Sequence, residues 1–324
     1  MAYAGKVGFI GLGNAGGKLA GSLLRNGVDL TVLDLDESAM APLLEAGATR
    51  GDVPARMALD CDVVITCLPS PAASAAVLEG DHGILQGLNA TDEGGTIWAE
   101  MSTTDEAEVK RLGALVSEFG GHPVDCPVSG GCHRAATGNI SILAGCERAV
   151  FEAMLPLLTK MGRRVLHTGP LGSASVLKVV TNYLATANLV ALTEALTVCR
   201  AAGQDLATAY EAIRISSGNS FVHETESQVI LNGSRDISFT MGLVAKDIGL
   251  FQEVADRAGV ELDVSPKLIE IFADGIERYG FDEWSPNIIR RLEERTGLDV
   301  LADGFPAEMV DDEPEEEGRE VRRG

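Results

Sequence analysis

The chain has 324 residues, 45% hydrophobic and 23% charged, a balance that excludes a disordered or fibrous protein and allows about two domains of ordinary size. Its 48 Asp and Glu against 26 Lys and Arg give a formal net charge of −22, which repels a phosphate backbone and excludes nucleic acid as a partner. No signal h-region precedes the first strand, and no apolar run is read as reaching the roughly 18 residues of a membrane span, so the expectation is a cytoplasmic protein without a membrane partner.

In chain order, Val7 to Ile10 is a short apolar strand ending at Gly11, followed by a helical pattern from Asn14 to Arg25 and a second strand from Asp29 to Leu33. Asp62 to Leu68, Thr96 to Met101 and Pro123 to Cys126 read as further strands, with helices at Ala72 to Leu78 and Glu106 to Phe119 between them. This alternation predicts an α/β domain, an N-terminal Rossmann doubly wound sheet, over residues 1–169. From about residue 170 strands give way to Ala- and Leu-rich helices. The longest, from Ser173 to Ala202, is stopped by Gly203, and others follow at Leu206 to Ser216, Gly242 to Ala258, Pro266 to Tyr279 and Pro286 to Thr296. Residues 170–300 are therefore expected to form an all-α C-terminal domain entered through a long helix.

Residues 301–324 form an acidic end in which Glu308, Asp311, Asp312, Glu313, Glu315, Glu316, Glu317 and Glu320 face only Arg319, Arg322 and Arg323. So few apolar side chains predict a solvated, disordered tail, and deletion of residues 308–324 is expected to leave activity and melting temperature nearly unchanged. The cysteines at 61, 67, 126, 132, 146 and 199 lack CxxC pairing and suit buried, reduced thiols. Cys126, Cys132 and His133 lack a fourth nearby ligand, and no metal is expected.

Four places carry chemistry. Gly11-Leu12-Gly13-Asn14-Ala15-Gly16 lies between a strand and a helix, where backbone N–H groups and the helix N-terminus can hold a pyrophosphate. Asp34 closes the second strand about twenty residues on, where a carboxylate can accept from both ribose hydroxyls and repel a 2′-phosphate. NAD is therefore expected in preference to NADP, against the plainer reading that Asp34 caps the helix near Glu37. Ser129, Gly130 and Gly131 follow a strand in a loop that either grips a carboxylate or makes an ordinary Ser-Gly turn. Lys178 and Asn182, four residues apart, share one face of the long helix. They read either as a proton carrier with its positioning amide or as a snorkelling Lys beside a surface Asn.

In this order the glycine-rich loop, the stretch Asp125-Cys126-Pro127-Val128-Ser129-Gly130-Gly131, the pair Lys178 and Asn182, and the later Lys246-Asp247 resemble the β-hydroxyacid dehydrogenase family, which includes 3-hydroxyisobutyrate dehydrogenases and tartronate semialdehyde reductases. The resemblance spans roughly residues 6 to 297 and implies an active site in a cleft, with a homodimer or homotetramer built through the helical domain. It implies that hydride passes between NAD(H) and a small 3-hydroxy acid or its semialdehyde, a carboxylate-bearing substrate. Ser129, Gly130 and Gly131 would hold the carboxylate, Lys178 would act as general acid or base, and Asn182 would orient it. It further implies that Leu68, Pro69, Ser102 and Thr103 line the nicotinamide and its ribose, and that Lys246 closes on the cofactor. Ala15 and Ala174 depart from the family's usual Met and Gly, and His133 and Arg134 stand where small or apolar residues are common, so they are read as solvated. An imine reductase of related architecture and a non-catalytic Rossmann scaffold are the alternatives, and retention of Lys178 argues against both.

Overall fold

A computed structural model describes residues 5–88 and 95–322, which divide into two compact units: the described residues up to 178 together with 311–322, and residues 179–310. The first unit contains the sheet. Its strands are β1 (Val7–Ile10), β2 (Leu30–Leu33), β3 (Thr49–Arg50), β4 (Val63–Thr66), β5 (Ile97–Glu100), β6 (His122–Asp125), β7 (Val128–Ser129), β8 (Ile140–Gly145), β9 (Gly162–Gly169) and β10 (Arg319–Glu320).

Across the sheet the order is β10-β9-β8-β6-β5-β4-β1-β2-β3, so the first six strands follow the Rossmann order, with its switch point between β1 and β4. The sequence Val-Gly-Phe-Ile of β1 is buried throughout because parallel neighbours flank it on both sides, Val7 lying opposite Leu30 and Val63. Leu19, Ala20 and Leu23 of the Gly16–Arg25 helix cover this sheet beside Phe9 and Val32.

The doubly wound, parallel pattern holds from β1 to β6, and the sheet then becomes mixed. β8 runs antiparallel to β6 and β7, while β8, β9 and β10 are parallel to one another. Sequence reading passed over β8, β9 and the Arg148–Leu158 helix. Ile-Ser-Ile-Leu-Ala-Gly and Gly-Arg-Arg-Val-Leu-His-Thr-Gly mix glycine and polar residues with their apolar ones, and so lack the continuous apolar signal of a central strand.

Two domain expectations are corrected. Residues 301–310 belong with the helical unit, where Val300 is fully buried, Ala302 and Phe305 pack on the core, and Ala302 N–H donates to the Leu231 carbonyl. The remaining acidic end is ordered against the first unit, with its last two residues, 323 and 324, outside the described ones. Charge complementarity substitutes for apolar burial here. Glu313 and Glu316 pair with Arg163, Glu313 also with Arg134, Glu315 with Arg25, and Glu320 with Arg148 and Arg322.

The second unit is helical. The Ser173–Ala201 helix is followed by Leu206–Arg214, Phe221–Asn232, Met241–Ala258, Ser265–Tyr279, the 3₁₀ turn Ser285–Ile289 and Arg290–Thr296. Leu189, Leu192 and Leu196 of the long helix sit in one core with Ile248, Phe272 and Ile289. By length and composition alone this long helix, with a mean hydropathy of 1.3 over its most apolar window, would pass as a membrane span, contrary to the sequence reading. The Phe221–Asn232 helix was not predicted, because buried polar residues interrupt its apolar periodicity. His223 Nε2 is hydrogen-bonded to the Tyr210 carbonyl at 2.9 Å, and His223 Nδ1 to Ser227 Oγ at 2.8 Å.

Candidate active site

The glycine loop leaves β1 at the switch point. Gly11 has φ +93°, and a Cβ there would lie 2.3 Å from the Cys67 carbonyl oxygen; a Cβ on Gly16 would lie 2.1 Å from the Gly11 oxygen. Gly13 has nothing within 4 Å of where its Cβ would stand. The first and third glycines therefore let the chain turn and pack, and the second leaves an open approach to the backbone, which is the division of labour a pyrophosphate requires. The N-cap residue Ala15 makes no side-chain cap, and Gly17 N–H turns back to the Gly13 carbonyl at 3.0 Å, so the glycine loop runs directly into the Gly16–Arg25 helix.

Asp34 follows β2 and accepts from Leu12 N–H through one carboxylate oxygen and from Asp36 N–H, at 2.8 Å, through the other. It thus ties the end of β2 to the glycine loop itself. The capping role falls to Asp36, which accepts from Ser38 N–H at the start of the Glu37–Glu45 helix.

Leu68 and Ser102, beyond the ends of β4 and β5, are joined directly: Leu68 N–H donates to Ser102 Oγ at 2.7 Å, and the Ser102 hydroxyl donates to Glu100. Glu100 also accepts from Ser102 N–H at 2.8 Å and is fully buried. Burial pushes its carboxyl above the usual range against the lowering effect of the Ser102 bond, so Glu100 is held towards its neutral form. Pro69 and Thr103 lie in the same two turns, Pro69 exposed and Thr103 half-buried.

Glu100 lies opposite Asp125 in the β5–β6 register. Asp125 accepts from both Ser175 N–H and Ser175 Oγ at 2.8 Å, and burial, with Glu100 adding to it, raises its carboxyl to about 7. Ser175 stands in the first turn of the Ser173–Ala201 helix, one turn before Lys178, whose relative exposure is only 8%. One buried carboxyl therefore fixes the root of the helix that carries Lys178 to the strand that leads to Ser129. Sequence reading quoted Asp125 only as part of a motif and missed Glu100. The signal available was a carboxylate closing each of two apolar strands.

Ser129 is held in β7 opposite Ser141, and Gly130 and Gly131 follow with φ +128° and +87°, conformations that disfavour any other residue. His133 is half-buried rather than fully solvated, its ring folded back over Gly131, where a Cβ would come within 2.7 Å of it. Burial lowers its pKa, with Arg134 adding to the effect.

In the helical unit Asn182 Nδ2 donates to Asp247, which is nearly fully buried, and Lys246 Nζ lies 2.7 Å from the other oxygen of Asp247. Asp247 thus organises both residues predicted there. Among the described residues no group of three or more His, Cys, Asp or Glu side chains could hold a metal ion.

Comparison with known proteins gives this arrangement a setting. A model for the NAD-binding domain of 6-phosphogluconate dehydrogenase matches residues 6–169, and one for the NAD-binding domain of NADP-dependent 3-hydroxyisobutyrate dehydrogenase matches residues 172–292. The chain is 32% identical over 296 residues to 2-(hydroxymethyl)glutarate dehydrogenase of Eubacterium barkeri, covering 91% of this chain and 97% of that one. It is 31% identical over 294 residues to the NAD-dependent L-serine dehydrogenase of Pseudomonas aeruginosa, covering 89% and 97%. The crystal structure of 3-hydroxyisobutyrate dehydrogenase from Salmonella typhimurium superposes with a TM-score of 0.80 at 25% identity, covering 88% of this chain and 99% of that one.

Proposed function

The chain belongs to the β-hydroxyacid dehydrogenase family, and from that premise we propose that it transfers hydride between NAD(H) and a small 3-hydroxy acid or its semialdehyde, with Lys178 as the general acid or base. The observation that carries this reading is the chain of contacts from Glu100 and Asp125 to Ser102, Leu68 and Ser175, which sets two turns beside the glycine loop and roots the helix of Lys178.

Bound NAD supplies the hydride acceptor, and Gly11 to Gly16, Asp34, Leu68, Pro69, Ser102, Thr103 and Lys246 would hold it. Ser129, Gly130 and Gly131 take the carboxylate of the substrate through the hydroxyl and backbone N–H groups. Lys178 removes the hydroxyl proton as the alcohol is oxidised and returns it when an aldehyde is reduced. Asn182, one turn further along the same helix, orients the proton carrier and is itself fixed by Asp247. The enzyme works in the cytoplasm as a homodimer or homotetramer.

Lys178→Met should lower kcat on the order of a hundredfold to ten-thousandfold while NADH still binds in a fluorescence titration, and Asn182→Ala should cost less. Retention of more than about a tenth of wild-type kcat by folded Lys178→Met places the proton on another group. In the same assay, a panel of short hydroxy acids should turn over faster with NAD than with NADP; the reverse preference removes the role given to Asp34.

A further inference from the structure

The family models end at residue 292, yet the chain returns to the first unit from residue 311 onward and lands beside the loop that the proposed function assigns to the substrate carboxylate. That loop is half of a closed excursion. Val128 and Ser129 pair with Ile142 and Ser141, and between them run Gly130, Gly131, the short helix Cys132–Thr137 and Gly138.

The acidic end grips the returning half. Asp311 Oδ2 accepts from Thr137 Oγ1 and, at 2.7 Å, from Asn139 Nδ2, and the same amide donates to the Glu313 carbonyl at 2.9 Å. Asn139 is buried, so both of its amide donors depend on residues 311 and 313. Burial alone would raise the Asp311 carboxyl, but the bonds from Thr137 and Asn139 outweigh it and hold the group below the ordinary carboxylate range. Glu313 reaches Arg134 within the short helix, and Glu315 lies against Gly138 while bonding Asn26, and through it the Gly16–Arg25 helix, at 3.1 Å.

We propose that the C-terminal segment is a working part of the substrate-carboxylate site, with Asp311 a positioning residue that sets Gly130 and Gly131 by holding Thr137 and Asn139. This rests on the assignment of Ser129, Gly130 and Gly131 to the carboxylate. Six residues of helix transmit the constraint, because neither end of the excursion can shift without moving the other. Removing the Asp311 acceptor leaves the Thr137 hydroxyl with only the Arg134 carbonyl and orphans one amide donor of buried Asn139, which recovers a partner only by displacing the loop.

The test is steady-state kinetics with the best hydroxy acid of the panel, on variants compared by melting. Asp311→Ala should raise KM for the hydroxy acid about tenfold while the Kd of NADH changes less than about twofold. Asp311→Asn, which keeps an oxygen for Thr137 and Asn139, should restore most of the loss. An unchanged KM in Asp311→Ala overturns the inference, and so does a rise matched by an equal loss of NADH binding, the mark of general loosening. Ser129→Ala in the same assay separates the two ideas: if it too leaves KM untouched, the carboxylate reading itself fails. Should Asp311→Ala not fold, amide exchange of the wild type decides. With rising salt, residues 128–141 and 311–322 should lose protection together, and independent exchange of the two segments overturns the proposal.

Discussion

The middle of the sheet and its β8–β10 edge are held by opposite means. At the ends of β5 and β6 two buried carboxyls each meet a hydroxyl and a backbone N–H, Glu100 those of Ser102 and Asp125 those of Ser175. At the edge many charges are paired in water: Glu316 with Arg163 and Glu320 with Arg148, both arginines partly exposed. Buried hydrogen bonds are few and costly to break, whereas exposed ion pairs are individually weak, screened by salt and effective only together. The middle of this molecule therefore tolerates no single loss that the edge would absorb.

The sharpest way to break the comparison is Asp125→Ala, which leaves Ser175 without its acceptor inside the protein. It should destabilise the fold by about 1–3 kcal/mol in denaturant titration and lower kcat as the root of the Lys178 helix loosens. A variant as stable and as active as wild type would mean that Asp125 anchors nothing.

Asp125→Asn is subtler, since its amide can still accept from Ser175 N–H and meet Ser175 Oγ. In the wild type the folded carboxyl titrates at about 7, above the unfolded value of 3.8. Between these values the folded state binds the extra proton, so this group's contribution to stability falls as pH rises from about 4 to 7 and is level outside that window. Melting temperatures across the window should therefore show Asp125→Asn gaining on the wild type as pH rises. A constant difference would show that the carboxyl ionises normally.

The smallest effect belongs to the edge. Glu316→Ala should lower Tm by only about 1–2 °C at low salt and by less in molar salt. A loss as large as that of Asp125→Ala would erase the distinction between the two regions.

The same contrast explains what could be read from the sequence. Val7 to Ile10 and Val63 to Ile65 are runs without a charged or polar side chain because both faces of those strands are covered, and Gly11 and Gly16 stand where a Cβ would strike backbone. Asp34, Ser129, Lys178 and Asn182 could be proposed as site residues because each sits at a fixed distance from such a run or on the long helix. Glu100 was not, because a buried carboxyl compensated by hydrogen bonds rather than by a charge has no periodicity to mark it. The docked end was misread for a related reason. Seven acidic residues with few apolar neighbours look solvated until the fold gathers Arg25, Arg134, Arg148 and Arg163, distant in sequence, along one side.

The pairing of Arg319 and Glu320 with β9 has a consequence for the behaviour of the protein in solution. β9 runs eight residues, from Gly162 to Gly169, and would otherwise end the sheet with a row of open N–H and C=O groups. Such an edge recruits strands from other molecules. Here Val321 N–H already donates to the Val165 carbonyl, and charged side chains flank it. The chain's own acidic end thus occupies the position a second molecule would take, and its charges repel further strands from stacking outside it. A chain cut at residue 310 is expected to uncover Arg164 and Val165 of this edge and to scatter more light than the full chain at equal concentration.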